Sequence, residues 1–514
     1  MIISNQHKRK TTRYFAYADP QSSPPGTRRL PGRCAAFTEA RCLMSQTLEQ
    51  LQARFGEHYK WRVMLTAMIG TMTMSLSSTI VNVALPDIMR RFDVNHTAGQ
   101  WLVTAFLSSM AVGMLVNAWA VHRFGARKTY FTTLTVFAVS SLIGGLSPSF
   151  EVLIGVRIMQ GFLAGMVQPL ALVIMYSVFP VQQRGQAMGL YAMGVVLGPT
   201  LGPVLGGILV DVFSWRAVFL IVLPNCLYAL WLTKTYVATA TMPEDKKKLD
   251  LTGLLLLTGW LVSLLWALSQ GSHLGWQAPL ILGAFGASAS LFVLFILCQL
   301  KRRSPLLDMS LFRYAGITPA FLIAMLTGAG LFSSVYLLPL LVQTVMENSA
   351  SASGLLLLPA GICMALTFPI VGRLTDRLAP GYLVGIGLVL FAGSSFVLSF
   401  ATAGFSLTLL AIMASVGRIG LAMTMPPVVV QALSVLPPEL TTQGTGLVSF
   451  ARQFGGALGV SLAAVLLQEH SAFIAQLGYV SAAKGYQDAF ALFALLFALG
   501  LIPLMRLPGK QPTT

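Results

Sequence analysis

Long apolar runs alternate with short polar breaks along almost the whole chain. Runs of about 20 residues with almost no charge begin near Arg62, Gln100, Thr129, Val152, Ala187, Trp215, Leu251, Gln277, Ile317, Ser351, Gly381, Phe405, Thr442 and Tyr486. Each is long enough to cross a hydrocarbon core of roughly 30 Å as an α-helix, the form in which a single segment satisfies its own backbone polar groups there. The pattern therefore predicts fourteen transmembrane helices. Trp61, Trp101, Trp215 and Trp276 stand at span ends, where an amphipathic ring favours the headgroup level. The first 43 residues break the pattern, being basic, Pro-rich and aperiodic. They cannot bury a core and lack the apolar region of a signal peptide. Residues 1–43 are expected to be disordered, as a tether to anionic lipid at most, or untranslated if synthesis starts at Met44.

Composition sharpens this picture. Of 514 residues 55% are hydrophobic and only 10% charged, with a mean hydropathy of +0.73. A soluble protein carries about 25% charged residues, so an ordinary cytosolic enzyme is excluded and a polytopic membrane protein expected. The net charge of +17 would suggest nucleic acid in a soluble chain, but there is no folded domain to carry that role. Its distribution reports orientation instead. One set of alternate loops, with the C-terminal tail, holds sixteen Lys and Arg residues, among them Arg123, Arg127, Arg184, Lys234, Lys301 and Arg373; the other holds only Arg90, Arg91, Arg216 and Lys484. The positive-inside rule puts the first set and both termini in the cytoplasm of a cell (inner) membrane protein. The five cysteines imply no disulfide framework. The six histidines lack metal-ligand spacing and no phosphate-binding G-x-x-x-x-G-K-[ST] loop is present. No metal, cofactor or enzymatic chemistry is expected, and transport would have to draw on an ion gradient.

The two halves of the chain repeat each other. Gly189-Leu190, Gly198, Leu201 and Gly202 recur 257 residues later as Gly446-Leu447, Gly455, Leu458 and Gly459. Spans 1 to 6 and 9 to 14 thus form a duplicated bundle with spans 7 and 8 inserted, and such repeats facing a midplane site underlie alternating access. The expected division is a cytoplasmic tail over 1–60, a six-helix bundle over 61–236, two inserted helices over 237–313, a second six-helix bundle over 314–508 and a tail over 509–514. In the fifth span Gly194, Gly198, Gly202 and Gly206 recur every four residues, forming one smooth stripe that lets another helix approach closely. Pro199 and Pro203 each remove a backbone donor and allow a bend. The stripe is read as a packing seam between the two halves that opens and closes as a gate. The Met-rich spans, with Met64, Met68, Met72 and Met74 in the first, offer pliable apolar surface that suits varied substrates.

Gly198-Pro199 and Gly206-Gly207, with Gly202-Pro203 between them, resemble the antiporter motif of the major facilitator superfamily. Arg157, Gln160 and Gly161 match its R-x-x-Q-G signature, Arg184-Gly185 with Ala187 and Gly189 match the segment leading into the fifth span, and the loop Gly372 to Arg377 (GRLTDR) fits G-x-L-x-D-R. With fourteen spans the chain resembles the drug:proton antiporters of the EmrB/QacA type. The resemblance implies an all-α polytopic protein of the major facilitator fold, two six-helix bundles plus two inserted helices, acting in multidrug efflux. It also implies a charge-paired cytoplasmic latch at Gly372, Asp376 and Arg377. The first-half copy, with His122, Arg123, Gly125 and Arg127, departs from the motif: Ala118 replaces its Gly and His122 its Asp, which makes that latch weaker or pH-sensitive.

The charges inside the membrane are where this sequence departs most. In the first span, Leu76 to Pro86 (LSSTIVNVALP) resembles L-D-x-T-x-x-N-x-A-L-P; Thr79, Asn82 and Pro86 match, but Ser77 stands where the motif carries Asp. An intramembrane carboxylate is the usual proton site. Asp87, just past Pro86, is the first candidate to replace it, against a bland reading as a solvated helix-end charge; Asp211, Glu347 and Glu151 are also near outer span ends. A guanidinium in the membrane costs roughly 2.5–3.5 kcal/mol on insertion scales, so Arg157 needs a partner inside the bundle. Family resemblance gives it influence over proton exchange; the alternative is a structural Arg held by carbonyls. Arg418, near the midplane of the twelfth span, favours an anion, and Arg452 of the thirteenth is read as structural. The resulting expectation is a secondary transporter exporting small amphiphilic compounds by proton antiport. Its rivals are an uncoupled facilitator or importer, and a non-transporting sensor or assembly partner. The expected partners are the substrate, protons and the lipid bilayer, without nucleic acid, and a periplasmic adaptor protein is left open.

Overall fold

The computed structural model describes residues 50–94, 96–238, 248–302, 305–348, 350–477 and 483–505. The expectation for 1–43 falls outside these residues, as do several basic loop and tail residues, Lys246, Lys247, Arg303, Arg506 and Lys510. Among the described residues the chain runs as fourteen helical rods. In the first half these are α1 (Tyr59–Phe92), α2 (His96–Phe124), α3 (Ala126–Gly145), α4 (Phe150–Val178), α5 (Arg184–Val212) and α6 (Ala217–Tyr236). An inserted pair follows, α7 (Leu251–Leu274) and α8 (Pro279–Lys301). The second half holds α9 (Ile317–Thr344), α10 (Ala350–Arg377), α11 (Pro380–Leu398), α12 (Leu407–Ser434), α13 (Thr441–Leu477) and α14 (Lys484–Leu504). Twelve of the rods are long and apolar enough to cross a membrane by length and composition. The other two are α3, whose buried face carries Thr129, Thr133, Ser140 and Ser141, and the glycine-rich α5.

Most rods start a few residues before their apolar run, because polar residues such as Tyr59 and Lys60 extend the helix toward the interface. Many hydroxyls inside the spans are satisfied by the preceding turn, as in Thr71 Oγ1 donating to Ala67 O at 2.8 Å and Thr327 Oγ1 to Ile323 O at 2.7 Å, whereas Ser333 Oγ and the Tyr176 hydroxyl are buried without a hydrogen-bond partner among the described residues. Proline is tolerated within the rods, at Pro86, Pro169 and Pro339 among others, since neighbouring helices compensate the lost bond.

The duplication is visible in the packing. In the first bundle α1 lies along α5 and α2 along α4; in the second α9 lies along α13 and α10 along α12. The bundles meet where α5 crosses α10 and where α13 crosses α2 and α4. The inserted pair packs on itself and against α13 and α2, with Trp260 of α7 wedged between Phe292 of α8 (4.6 Å between ring centroids) and Phe454 of α13 (5.2 Å). Its base is stapled by Asp250, which accepts from Gly253 N (2.8 Å) and Gln299 Nε2 (2.9 Å) and pairs with Arg302 (2.8 Å).

Candidate functional site

The first bundle is organised around Arg157. This residue is fully buried on α4, and its fork reaches two other helices: Nε donates to Leu102 O of α2 at 3.0 Å and Nη1 to Ser77 O of α1 at 3.1 Å. Nη1 also reaches Gln160 Oε1 at 3.3 Å, whose amide in turn donates to Ser141 Oγ of α3 at 2.9 Å. The guanidinium lies 4.1 Å from the ring centroid of Phe106, a cation–π contact that partly replaces hydration. Its Nη2 has no hydrogen-bond partner. Arg157 is thus held by carbonyl dipoles, and the one on α1 belongs to the residue that stands in place of the motif's aspartate. Thr79 bonds back to Leu76 O, while Asn82 and Pro86 are exposed.

The glycine stripe on α5 is placed differently from the expectation. A Cβ at Gly194 would strike Met68, at Gly198 would lie 2.8 Å from Met72 O and 3.0 Å from Leu76 N, and at Gly206 would lie 3.0 Å from Ile80. At Gly202 it would meet Thr79. All of these neighbours belong to α1, so the stripe lies inside the first bundle and does not form the seam between the halves. The reason is that a four-residue period states that one helix comes close, not which helix. Gly207 meets open space, and α5 continues through Pro199 and Pro203.

The seam between the bundles uses the start of α5. A Cβ at Gly189 would lie 2.9 Å from Gly372 Cα, and one at Gly372 would lie 2.5 Å from Gly185 O, so three glycines bring the two backbones together. Asp376 closes the crossing: its Oδ1 accepts from Gly185 N at 2.7 Å and its Oδ2 from Gln186 N at 2.8 Å. The latch thus includes a carboxylate on the positive N-terminus of α5, where free N–H groups and the helix dipole favour an anion, a contact that the expectation of paired charges did not include. In the first-half copy Gly125 adopts φ 79° between α2 and α3, and Arg127 donates to Lys234 O at 2.6 Å, tying α3 to α6. His122 and Arg123 end α2. Near the start of α13, Gly446 faces Met114 O, and Gln443 accepts from Asp308 N at 3.2 Å.

Deeper in the same seam, Arg452 of α13 donates from Nη2 to Gln168 Oε1 of α4 at 3.0 Å. The Gln168 carbonyl accepts from the Tyr191 hydroxyl of α5 (3.3 Å), which also reaches Thr71 of α1 (3.2 Å). This polar chain joins four helices and both bundles, so Arg452, read from the sequence as structural, is part of the contact that must rearrange if the halves rock. Gln168 was not singled out from the sequence; a lone amide in the apolar stretch LAGMVQPLAL was its signal. Arg418 is elsewhere. It is buried within the second bundle, against a small cavity bounded by α9, α11, α12 and α14, which removes it from the surface between the bundles.

The candidate carboxylates are all peripheral. Asp87 is half-buried, pairs with Arg90 and shares an open surface depression with Arg91, Ser214 and Trp215. Asp211, Glu347 and Glu151 are exposed. Arg157, Arg418 and Arg452 have no carboxylate partner among the described residues, and no group of metal-ligating side chains occurs among those residues.

Comparison with known proteins agrees with this architecture. The family described as Major Facilitator Superfamily matches residues 67–460. The uncharacterized MFS-type transporter YcnB of Bacillus subtilis (strain 168) is 30% identical over 86% of this chain and 94% of its own. The lincomycin resistance protein LmrB of Listeria monocytogenes is 28% identical over 83% and 92%. Among solved structures, that of the proton:xylose symporter XylE superposes with a TM-score of 0.63 at 13% identity, covering 89% of this chain and 98% of that one, a likeness of fold.

Proposed function

The chain belongs to the major facilitator superfamily, and from that premise we propose that it exports small amphiphilic compounds in exchange for protons. As a membrane transporter it needs two states, and the observation that carries the proposal is the seam just described: two duplicated bundles meet across it, and Asp376 on the N-terminus of α5 and Arg452 on Gln168 are polar contacts between them. These contacts lie toward the ends that carry the basic loops, taken as cytoplasmic with both termini. The proposed division is two bundles at 61–236 and 314–508, the inserted pair within 237–313, and tails at 1–60 and 509–514. The lincomycin resistance relative LmrB supports a drug as the substrate and export as the direction.

The test is an efflux screen of deletion and overexpression strains against cationic, neutral and anionic amphiphiles, followed by flux into vesicles containing a pH-sensitive dye. Drug-linked proton movement is expected. A verified substrate that moves without protons would replace antiport with the second reading, an uncoupled facilitator. That reading is favoured by one observation, the Ser77 carbonyl standing against Arg157 where a carboxylate is expected. Asp87→Asn tests the remaining candidate: loss of proton movement with downhill flux preserved would make Asp87 the carrier.

A further inference from the structure

We propose that the second bundle holds a small inorganic anion, chloride in size and charge, against Arg418. The side chain of Arg418 is more than nine-tenths buried, and it makes no hydrogen bond or ion pair among the described residues. A guanidinium carries five donors and no acceptor, and a buried charge is costly unless paired. The other two interior arginines meet this demand with protein oxygens, Arg157 with two carbonyls and Gln160, Arg452 with Gln168. Arg418 instead lines a cavity of about 20 Å³.

The cavity tells what it accepts. None of its lining residues is acidic, so nothing there attracts a cation. Its polar groups are Arg418 and the hydroxyls of Ser334, Ser394 and Ser395. Ser334 and Ser394 donate to the carbonyls of Leu331 and Phe391, each at 3.0 Å, which leaves Ser395 as the hydroxyl that can turn inward. The nearest carboxylate along α14, Asp488, pairs with Lys484 at 3.0 Å. A volume of this size admits an occupant no larger than a water or a single-atom ion, which excludes an amphiphile. Water would satisfy donors without compensating the charge; an anion does both. The lining reaches Leu398, the last residue of α11, and Met413 in the second turn of α12, so the site lies toward the end of the bundle away from the basic loops. The anion would act as a fixed partner for Arg418, separate from the transported compound.

The experiment uses the purified full chain in detergent and reads stability, so it does not depend on the transport reaction. Chloride and bromide, compared with bulky gluconate at matched ionic strength, should raise the Tm by about 2 °C. Arg418→Gln should abolish the difference, and so should Ser395→Met, which fills the cavity and keeps the arginine. Crystals grown in bromide should show an anomalous peak within hydrogen-bonding distance of the guanidinium. Equal melting of the wild type in chloride and gluconate would overturn the proposal, as would a chloride effect that survives either substitution. Should Arg418→Gln fail to fold, Ser395→Met and the bromide peak decide the matter.

Discussion

Arg157 shows why residue identity matters inside this membrane protein. Its planar fork addresses Leu102 O and Ser77 O from two nitrogens at once, a geometry the point-like ammonium of lysine cannot reproduce. Hydrogen bonds from a charged group contribute about 1.5–3 kcal/mol each, so Arg157→Lys, losing one of them and the stacking on Phe106, should cost about 2–4 kcal/mol. A thermal melt of the purified variant, together with efflux at equal abundance, checks this; unchanged melting would show that the fork is not needed. The neighbouring position permits the reverse experiment. Ser77→Asp adds a carboxylate on the residue whose carbonyl already holds the guanidinium, and Arg157 Nη2 has a free donor. An acid paired with a buried cation can bind and release a proton as its surroundings change. Drug-linked proton movement in dye-loaded vesicles should rise in Ser77→Asp and its pH dependence should change. Identical proton traces from wild type and variant would remove Arg157 from the coupling machinery.

At the scale of single elements, α5 uses its glycines on two faces for two purposes. Gly194, Gly198, Gly202 and Gly206 receive α1 and hold the first bundle together, whereas Gly185 and Gly189 receive Gly372 of α10 across the seam. The two sets should respond differently to bulk. Gly198→Leu presses on the α1 backbone at Met72 and Leu76 and should lower thermal stability, because backbone cannot move aside as a side-chain tip can. Gly189→Leu strikes the α10 backbone at Phe368 and Gly372 and should suppress transport by keeping the bundles apart where Asp376 must dock, while leaving the α1–α5 packing of the first bundle untouched. A cysteine placed near Gln186 and probed with an impermeant thiol reagent would read this as increased labelling; equal labelling would mean the seam tolerates the side chain. The helices themselves were legible because a span is declared by its own composition, and their starts lie close to the apolar runs from Leu251 and Ile317 onward. The stripe was legible as a spacing, but its partner was not, since which helix fills a groove is decided by the arrangement of the whole bundle.

For the whole molecule the decisive property is the sign of the charge in its interior. Arg157, Arg418 and Arg452 lie within spans, and no carboxylate partners them among the described residues. These arginines were readable in the sequence as charges in apolar runs; their different roles were not, because the role depends on which surface each helix turns toward its neighbours. Arg157 faces the first bundle, Arg418 a cavity of the second, and only Arg452 spans the surface between the two, on Gln168. In a low-dielectric seam a lone guanidinium repels a lipophilic cation and attracts an anion with an energy several times that in water. The protein should therefore prefer anionic or neutral amphiphiles. Arg452→Gln removes the charge and leaves a shorter, neutral amide donor, and it should reduce efflux of anionic compounds about tenfold relative to cationic ones, a discrimination of about 1.4 kcal/mol. Arg418→Gln, remote from that surface, should leave the ratio unchanged. Efflux rates for a matched pair of anionic and cationic dyes in the two variants test both statements together. If cationic dyes are the best substrates and Arg452→Gln affects the pair equally, Arg452 serves only to join the bundles, and substrate charge is read elsewhere.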